Sequence, residues 1–281
     1  MIEHKPDAGA KTLSDLRYAC QTYSWQMNLA TYRGRLDHMI STAAKAGFRG
    51  FEPEVVMLGD DWSPAELKDT LDRHGLELAA LVLVEPWRGD QESPAERGDA
   101  DTVIDCVAAI PGAKIILCPA PGADRRDLVE RQDNALSCMA AVARRAADRG
   151  IICSFHPNSP GGSVFRTAED YRRMADLLDP LINLTPDLGH IARGGMDPLT
   201  VVTDWGDRVD HVHIKDLATD GTWAEIGSGV VDVPAVLDHL ASRGFSGWVT
   251  FEDESPSAED DPDAAVARNG KYVSRLIGGM A

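Results

Sequence analysis

Along this chain the spacing of apolar positions switches repeatedly between two periods. Eight short runs rich in apolar and β-branched residues, over 18–25, 48–54, 76–84, 113–118, 151–156, 182–187, 210–215 and 247–252, read as strands. Segments with helical spacing alternate with them, over 31–46, 63–74, 97–110, 124–149, 167–178, 197–205, 232–243 and 263–277. This alternation predicts a parallel sheet with its helices outside. Eight units within 281 residues predict that the sheet closes into a single-domain α/β structure, a (β/α)8 TIM barrel. An open doubly wound sheet is the structural competitor, but no GxGxxG follows the first run. Gly47, Gly75, Gly150 and Gly244 each stand between a helix and the next strand, where a left-handed cap is cheap for glycine. Ser63-Pro64 and Asp197-Pro198 read as an N-cap followed by proline in the first helical turn. Residues 1–12 read as a flexible arm, and no linker divides the rest.

Side chains alternate across a strand, so parity sorts each run into two faces. Cys153, Phe155, Val212, Ile214, Val249 and Phe251 suit packing against the helices. The opposite face carries Glu52 and Glu54, Ser154 and His156, Asn183, Thr185 and Asp187, His211, His213 and Lys215, and Thr250 and Glu252. Polar groups aimed into a barrel on five strands are costly unless they are paired or bind something. His156, Asp187, His213 and Glu252 fall one per strand at or near the C-terminal strand ends, where barrel enzymes carry their sites. Two imidazoles and two carboxylates suit one divalent ion, Mn²⁺ first, with Mg²⁺, Co²⁺ or Zn²⁺ as alternatives. Trp25 and Trp87 close the first and third runs, where they could wall a pocket or cap the core.

Charge narrows the partners. A formal net charge of −17 repels phosphate backbones and anionic lipid, so neither nucleic acid nor membrane is an expected partner. No apolar run reaches the length of a membrane span, and the polar N-terminus lacks the core of a signal peptide; the expectation is a cytoplasmic protein. The five cysteines are odd in number and form no CxxC, so they read as buried free thiols.

The segment LTPDLGHIARGGMDPLTVVTDWGDRVDHVHIKD, followed by IGSGVVDVPAVLDHLASRGFSGWVTFEDE, resembles the C-terminal half of the sugar phosphate isomerase/epimerase family. That family has the xylose-isomerase-like barrel and includes inosose dehydratases and keto-sugar 3-epimerases. The DLGH, HVHIKD, GxGxxD and GWVTFE elements carry the resemblance by their order and spacing, and GFRGFEPE and FHPNSPGG extend it over most of the chain. It implies that Asp187, His213 and Glu252 hold the metal, that Glu252 also moves a proton, and that Lys215 and His190 contact substrate oxygens. Glu52, Asn158 and Trp25 join them as expected substrate-side residues.

The sequence departs from the family in one place. Its epimerases usually carry a glutamate at the end of strand five, as a ligand and second acid/base; His156 stands there. A metal-bound imidazole is a poor proton donor to the substrate, because its free nitrogen points away from the ion. The expected chemistry is proton abstraction beside the carbonyl of a keto-sugar, 3-keto-glycoside or cyclitol, with elimination favoured over two-base epimerisation. Two rivals share the fold: a metal-dependent endonuclease, which the acidic charge disfavours, and a non-catalytic sugar-binding or partner subunit. Self-association into a homo-oligomer stays open.

Overall fold

The computed structural model describes residues 9–60 and 62–279. Eight strands follow one another as β1 (Arg17–Gln21), β2 (Gly50–Glu52), β3 (Ala80–Glu85), β4 (Lys114–Pro119), β5 (Cys153–Phe155), β6 (Ile182–Leu184), β7 (His211–Ile214) and β8 (Trp248–Phe251). All pairings among them are parallel: β2 lies on β1, β1 on β8 and β8 on β7, while β3 to β6 pair in chain order. Single bridges join the two sets, Glu54 to Val82 on one side, and Leu184 to Val209 and Asp187 to His213 on the other. The result is the closed eight-stranded barrel that the alternation predicts.

Eight principal helices wrap it: α1 (Leu36–Lys45), α2 (Pro64–His74), α3 (Pro94–Ala109), α4 (Leu128–Ala147), α5 (Ala168–Leu177), α6 (Pro198–Trp205), α7 (Val233–Ser242) and α8 (Pro262–Ile277). Their starts follow local chemistry. Ser63 and Asp197 accept from the backbone N–H of Glu66 and Thr200, and Ser93–Glu96 and Thr167–Asp170 form capping boxes. Gly47, Gly75, Gly150 and Gly244 all take positive φ where the chain leaves a helix. Apart from β4, the strands are shorter than the apolar runs. In the first run residues Tyr23–Gln26 form a helical turn, so Trp25 is not at a strand end. The expected helix 31–46 is likewise split by Gly34, at φ 78°.

Parity holds inside the barrel. Val212, Ile214, Val249, Phe251, Cys153 and Phe155 join the main core between sheet and helices. The barrel interior has two characters. On β3 and β4 it is apolar, with Ala80, Val82, Ile116 and Cys118 clustered together. On the other strands it is a polar column. At its N-terminal end Asp210 accepts from Lys114 Nζ (2.6 Å) and Asn183 Nδ2 (2.7 Å), and from Ser154 Oγ. The five cysteines are free and buried, as their composition implies. Of the expected N-terminal arm, residues 1–8 lie outside the described residues, and Lys11 is tied down, its backbone N–H on Ala241 O and its Nζ on Phe245 O, each 2.8 Å. No described helix is long and apolar enough to cross a membrane.

The close fit of β1, β2 and β8 makes a stability prediction. A Cβ on Gly50 would stand 2.6 Å from the Trp248 ring and 2.9 Å from Ala19 Cβ. Gly50→Ala should therefore cost about 1–3 kcal/mol, as overpacking does in tight interiors. Urea denaturation followed by circular dichroism reads this directly; an unchanged midpoint would show that the barrel wall is looser than described.

Candidate metal centre

The C-terminal mouth of the barrel gathers the residues that parity selected. His156, Asp187, His213 and Glu252 are all buried, and each offers a ligand atom such that these atoms lie within 4.8 Å of one another. Asp187 is placed by a capping motif. It is the N-cap of the short helix Leu188–Arg193, and its Oδ1 accepts from His190 N at 2.7 Å. Its Oδ2 has no hydrogen-bond partner and stands 3.6 Å from His156 Nε2, itself buried without one. Two unpartnered polar atoms facing each other at zero or near-zero exposure are unusual in a folded protein.

The other two candidate ligands are engaged. His213 Nδ1 is 2.7 Å from Glu252 Oε2, and His213 Nε2 is 2.6 Å from Glu52 Oε1, although the latter pair is not aligned as a hydrogen bond. Glu252 Oε1 accepts from Lys215 Nζ at 2.8 Å. Lys215 is 1% exposed and also donates to Glu254, lies 3.5 Å from Asp187 Oδ2, and reaches His190 Nε2 at 3.2 Å. His190 Nδ1 in turn meets Ser159 Oγ at 2.8 Å.

These contacts set the charges. Burial opposes the ionisation of Glu252, but Lys215 and His213 outweigh it and hold the carboxyl well below its usual range. Burial likewise opposes charge on Asp187, and the Lys215 ammonium outweighs it. For His213, burial pulls the pKa down and the Glu52 and Glu252 carboxylates push it up to about 10. Burial and His213 also disfavour charge on His156, which Asp187 nevertheless raises to about 9. His190 goes the other way: burial and the Lys215 ammonium depress it to about 3, so it is neutral. The cluster thus holds Glu52, Asp187 and Glu252 as anions against Lys215 and two imidazolium rings, His156 and His213.

Several sequence expectations change here. Glu52, expected on the substrate side, is fully enclosed, with Oε2 2.6 Å from His211 Nε2 and Oε1 beside His213. Its two carboxylate oxygens face two histidines. Trp25, expected to wall the pocket, is fully buried in the main core, its indole N–H on Asp263 Oδ1 at 2.7 Å. Its helical turn rotates it out of the strand register. Asn158 ties its own loop to the end of β4, donating to Pro119 O at 3.0 Å and accepting from Ser163 Oγ. Three residues at the mouth escaped the sequence reading. Tyr23 lay in the run taken as strand, and its ring is 5.7 Å from Lys215 Nζ. Trp223 belongs to the small hairpin Asp216–Leu217/Trp223–Ala224, outside the eight-run frame, and stands 5.2 Å from both Lys215 Nζ and the His190 ring. Glu254 stands just beyond the last run, and its parity with Glu252 was available as a signal.

The GxGxxD element has a physical role as well. The Asp216 carboxylate is buried and accepts from the backbone N–H of Leu217, Gly227, Gly229 and Val231 at 2.8–3.1 Å. A Cβ on Gly229 would collide with that carboxylate. Asp232, the last residue of the element, caps α7 by accepting from Ala235 N. The loop after Lys215 is therefore folded around a single buried anion.

The chain matches the Xylose isomerase-like TIM barrel family over residues 40–273. It belongs to that family. An inosose dehydratase of Geobacillus kaustophilus is 24% identical over 302 aligned positions, covering 95% of this chain and 96% of the relative. Among solved structures, an IolI protein with a bound zinc atom superposes with a TM-score of 0.72 at 16% identity, covering 94% of this chain and 98% of that one. A 3-keto-D-glucoside 4-epimerase from E. coli does so with a TM-score of 0.72 at 19% identity, covering 92% and 99%. These two structures share the fold with this chain.

Asp216→Ala would leave four backbone donors of the mouth loop without their anion. We expect a loss of roughly 2–4 kcal/mol, in the range for buried groups deprived of a charged partner, together with rapid proteolysis between residues 217 and 231. Limited proteolysis against the wild type checks this; equal resistance would mean that the loop is held by other contacts.

Proposed function

We propose that this chain is a divalent-metal-dependent enzyme that removes a proton next to the carbonyl of a keto-sugar, 3-keto-glycoside or cyclitol. The observation that carries the reading is the buried convergence of His156, Asp187, His213 and Glu252, with His156 Nε2 and Asp187 Oδ2 unpartnered. The donor set fits: two nitrogens and two carboxylates match the mixed-donor preference of Mn²⁺, Co²⁺ or Zn²⁺, with Mg²⁺ less suited to imidazole. The charge count fits too, because the protons on His156 and His213 balance the carboxylates in the place where a divalent ion's charge would stand. The inosose dehydratase relative and the 3-keto-glucoside epimerase neighbour support the substrate class.

The bound ion would supply Lewis-acid stabilisation of negative charge developing on the substrate's carbonyl oxygen. The chain's own residues divide the remaining work. Lys215 brings a fixed positive charge to the mouth, and neutral His190 offers a nitrogen beside it. Glu252, or a carboxyl next to it, takes the carbon-bound proton. Glu254 and Glu54 are the neighbours, both pushed up to about 7 by burial, which is the range a proton shuttle needs near neutral pH. His156 in place of a glutamate favours β-elimination. The presence of Glu54 and Glu254 favours a second reading, isomerisation or epimerisation with one of them returning the proton. The net charge of −17 sets both apart from a nuclease on the same fold.

Metal binding should be detectable without any substrate. Mn²⁺ should bind at one site per chain, and Asp187→Ala should abolish it. Because the folded-state pKa values of His156 and His213 lie above neutral, both protons must leave on binding. The apparent association constant should therefore rise with pH up to about 9 and fall on acidification, by as much as about 100-fold per pH unit for two protons. Calorimetry in buffers of different ionisation enthalpy counts the protons released. Zero protons would contradict the charge assignment, and no Mn²⁺ binding would favour the non-catalytic subunit.

The reaction itself is tested by incubating inososes and 3-keto-glucosides in D₂O and following products by NMR. Solvent deuterium should enter next to the carbonyl in the metal-loaded enzyme, and EDTA should stop it. Glu252→Gln should reduce turnover by about 10²–10⁴-fold. An eliminated product identifies the dehydratase outcome, and a clean epimer the second reading. No exchange into any member of the panel by the Mn²⁺-loaded enzyme would overturn the proposal.

A further inference from the structure

Beneath the candidate ligands lies a group of side chains that the proposed chemistry does not use. Glu52 on β2, His211 on β7 and Thr250 on β8 are all fully buried in the barrel interior. His211 Nε2 is 2.6 Å from Glu52 Oε2 and 2.8 Å from Thr250 Oγ1. The His211 ring thus sets its Nε2 directly against Glu52 Oε2, with the Thr250 hydroxyl on the same nitrogen. This fixes one oxygen of Glu52 and leaves the other, Oε1, unpartnered and 2.6 Å from His213 Nε2.

The consequence concerns His213. Its two ring nitrogens face different surroundings: Nδ1 looks towards Glu252 and the mouth, and Nε2 looks down towards Glu52. An imidazole that ligates a metal keeps a proton on its other nitrogen, and an acceptor there selects the tautomer and the ring orientation. Among the described residues, the acceptor beside Nε2 is Glu52.

From this geometry we infer that Glu52, held by His211 and Thr250, is a positioning residue that keeps the proton on His213 Nε2 and presents Nδ1 as the metal-ligating nitrogen. The inference rests on the metal reading above and adds to it the atom that binds and the group that enforces it. It also gives a role to a fully buried carboxylate. Glu52 lies on the same strand-two parity as the mouth residue Glu54, yet its partners are two histidines of one strand, two residues apart.

Two measurements on the full chain test this. The first needs no substitution: ¹⁵N-histidine NMR of the Zn²⁺-loaded protein should show His213 ligated through Nδ1, with its proton on Nε2. The second is calorimetry with Mn²⁺ on wild type and Glu52→Gln, with circular dichroism and thermal melting to confirm folding. The amide keeps the shape and removes the charged acceptor, so affinity should fall about 10–100-fold while the stoichiometry stays at one. Ligation through Nε2, or unchanged Mn²⁺ affinity in a folded Glu52→Gln, would overturn the inference and leave the metal reading standing. Failure of the wild type to bind either ion would instead overturn the metal reading, and this inference with it.

Discussion

The structure turns on the burial of three carboxylates at and just below one barrel mouth. Glu52, Asp187 and Glu252 are each at most 4% exposed and close enough to share neighbours. Carboxylates crowded together in this way either take up protons or recruit positive charge. Here Lys215, His156 and His213 provide that charge, and the arrangement holds because every one of them stands on a strand or immediately after it. A barrel is suited to the task. Neighbouring parallel strands bring inward residues of equal height side by side, as the Asp187–His213 bridge shows.

The rest of the architecture supports that cluster. The apolar lining from β3 and β4 gives the polar half something to pack against, and the Asp210–Lys114 pair closes the column at the far end. Helix entry at Asp187 makes an ordinary N-cap a candidate ligand, since the backbone takes one oxygen and leaves the other facing His156. Gly189 in the same turn allows the helix to approach the Lys215 stem, where a Cβ would stand 2.8 Å from its Cβ and Cγ. Asp216 then folds the following loop, so that Trp223 lies beside Lys215 and His190. DLGH and IKD are therefore one interlocked unit, even though the motifs are separated in sequence.

Much of this was legible in the sequence. Strand period and helix punctuation were enough for the barrel, because eight alternating units admit few topologies. Parity was enough for His156, Asp187, His213 and Glu252, because an inward polar residue at a strand end has few inexpensive explanations. What failed was local geometry. Trp25 looked like a strand end, but Tyr23–Gln26 coil into a helical turn and carry the indole into the core. Glu52 carried the right parity and the wrong height, since parity does not say how deep a side chain sits. Trp223 lies on a small hairpin outside the eight-run frame and Glu254 just past the last run, and the course of both depends on tertiary contacts.

The central claim is that the buried charge cluster is a single metal centre at His156, Asp187, His213 and Glu252. The most direct measurement is the anomalous diffraction of a crystal of this protein soaked in Mn²⁺. The account predicts one strong peak among those four side chains, with Lys215 displaced no further than the mouth. A peak confined to the deeper trio Glu52, His211 and His213, or no peak in the barrel at saturating Mn²⁺, would contradict it.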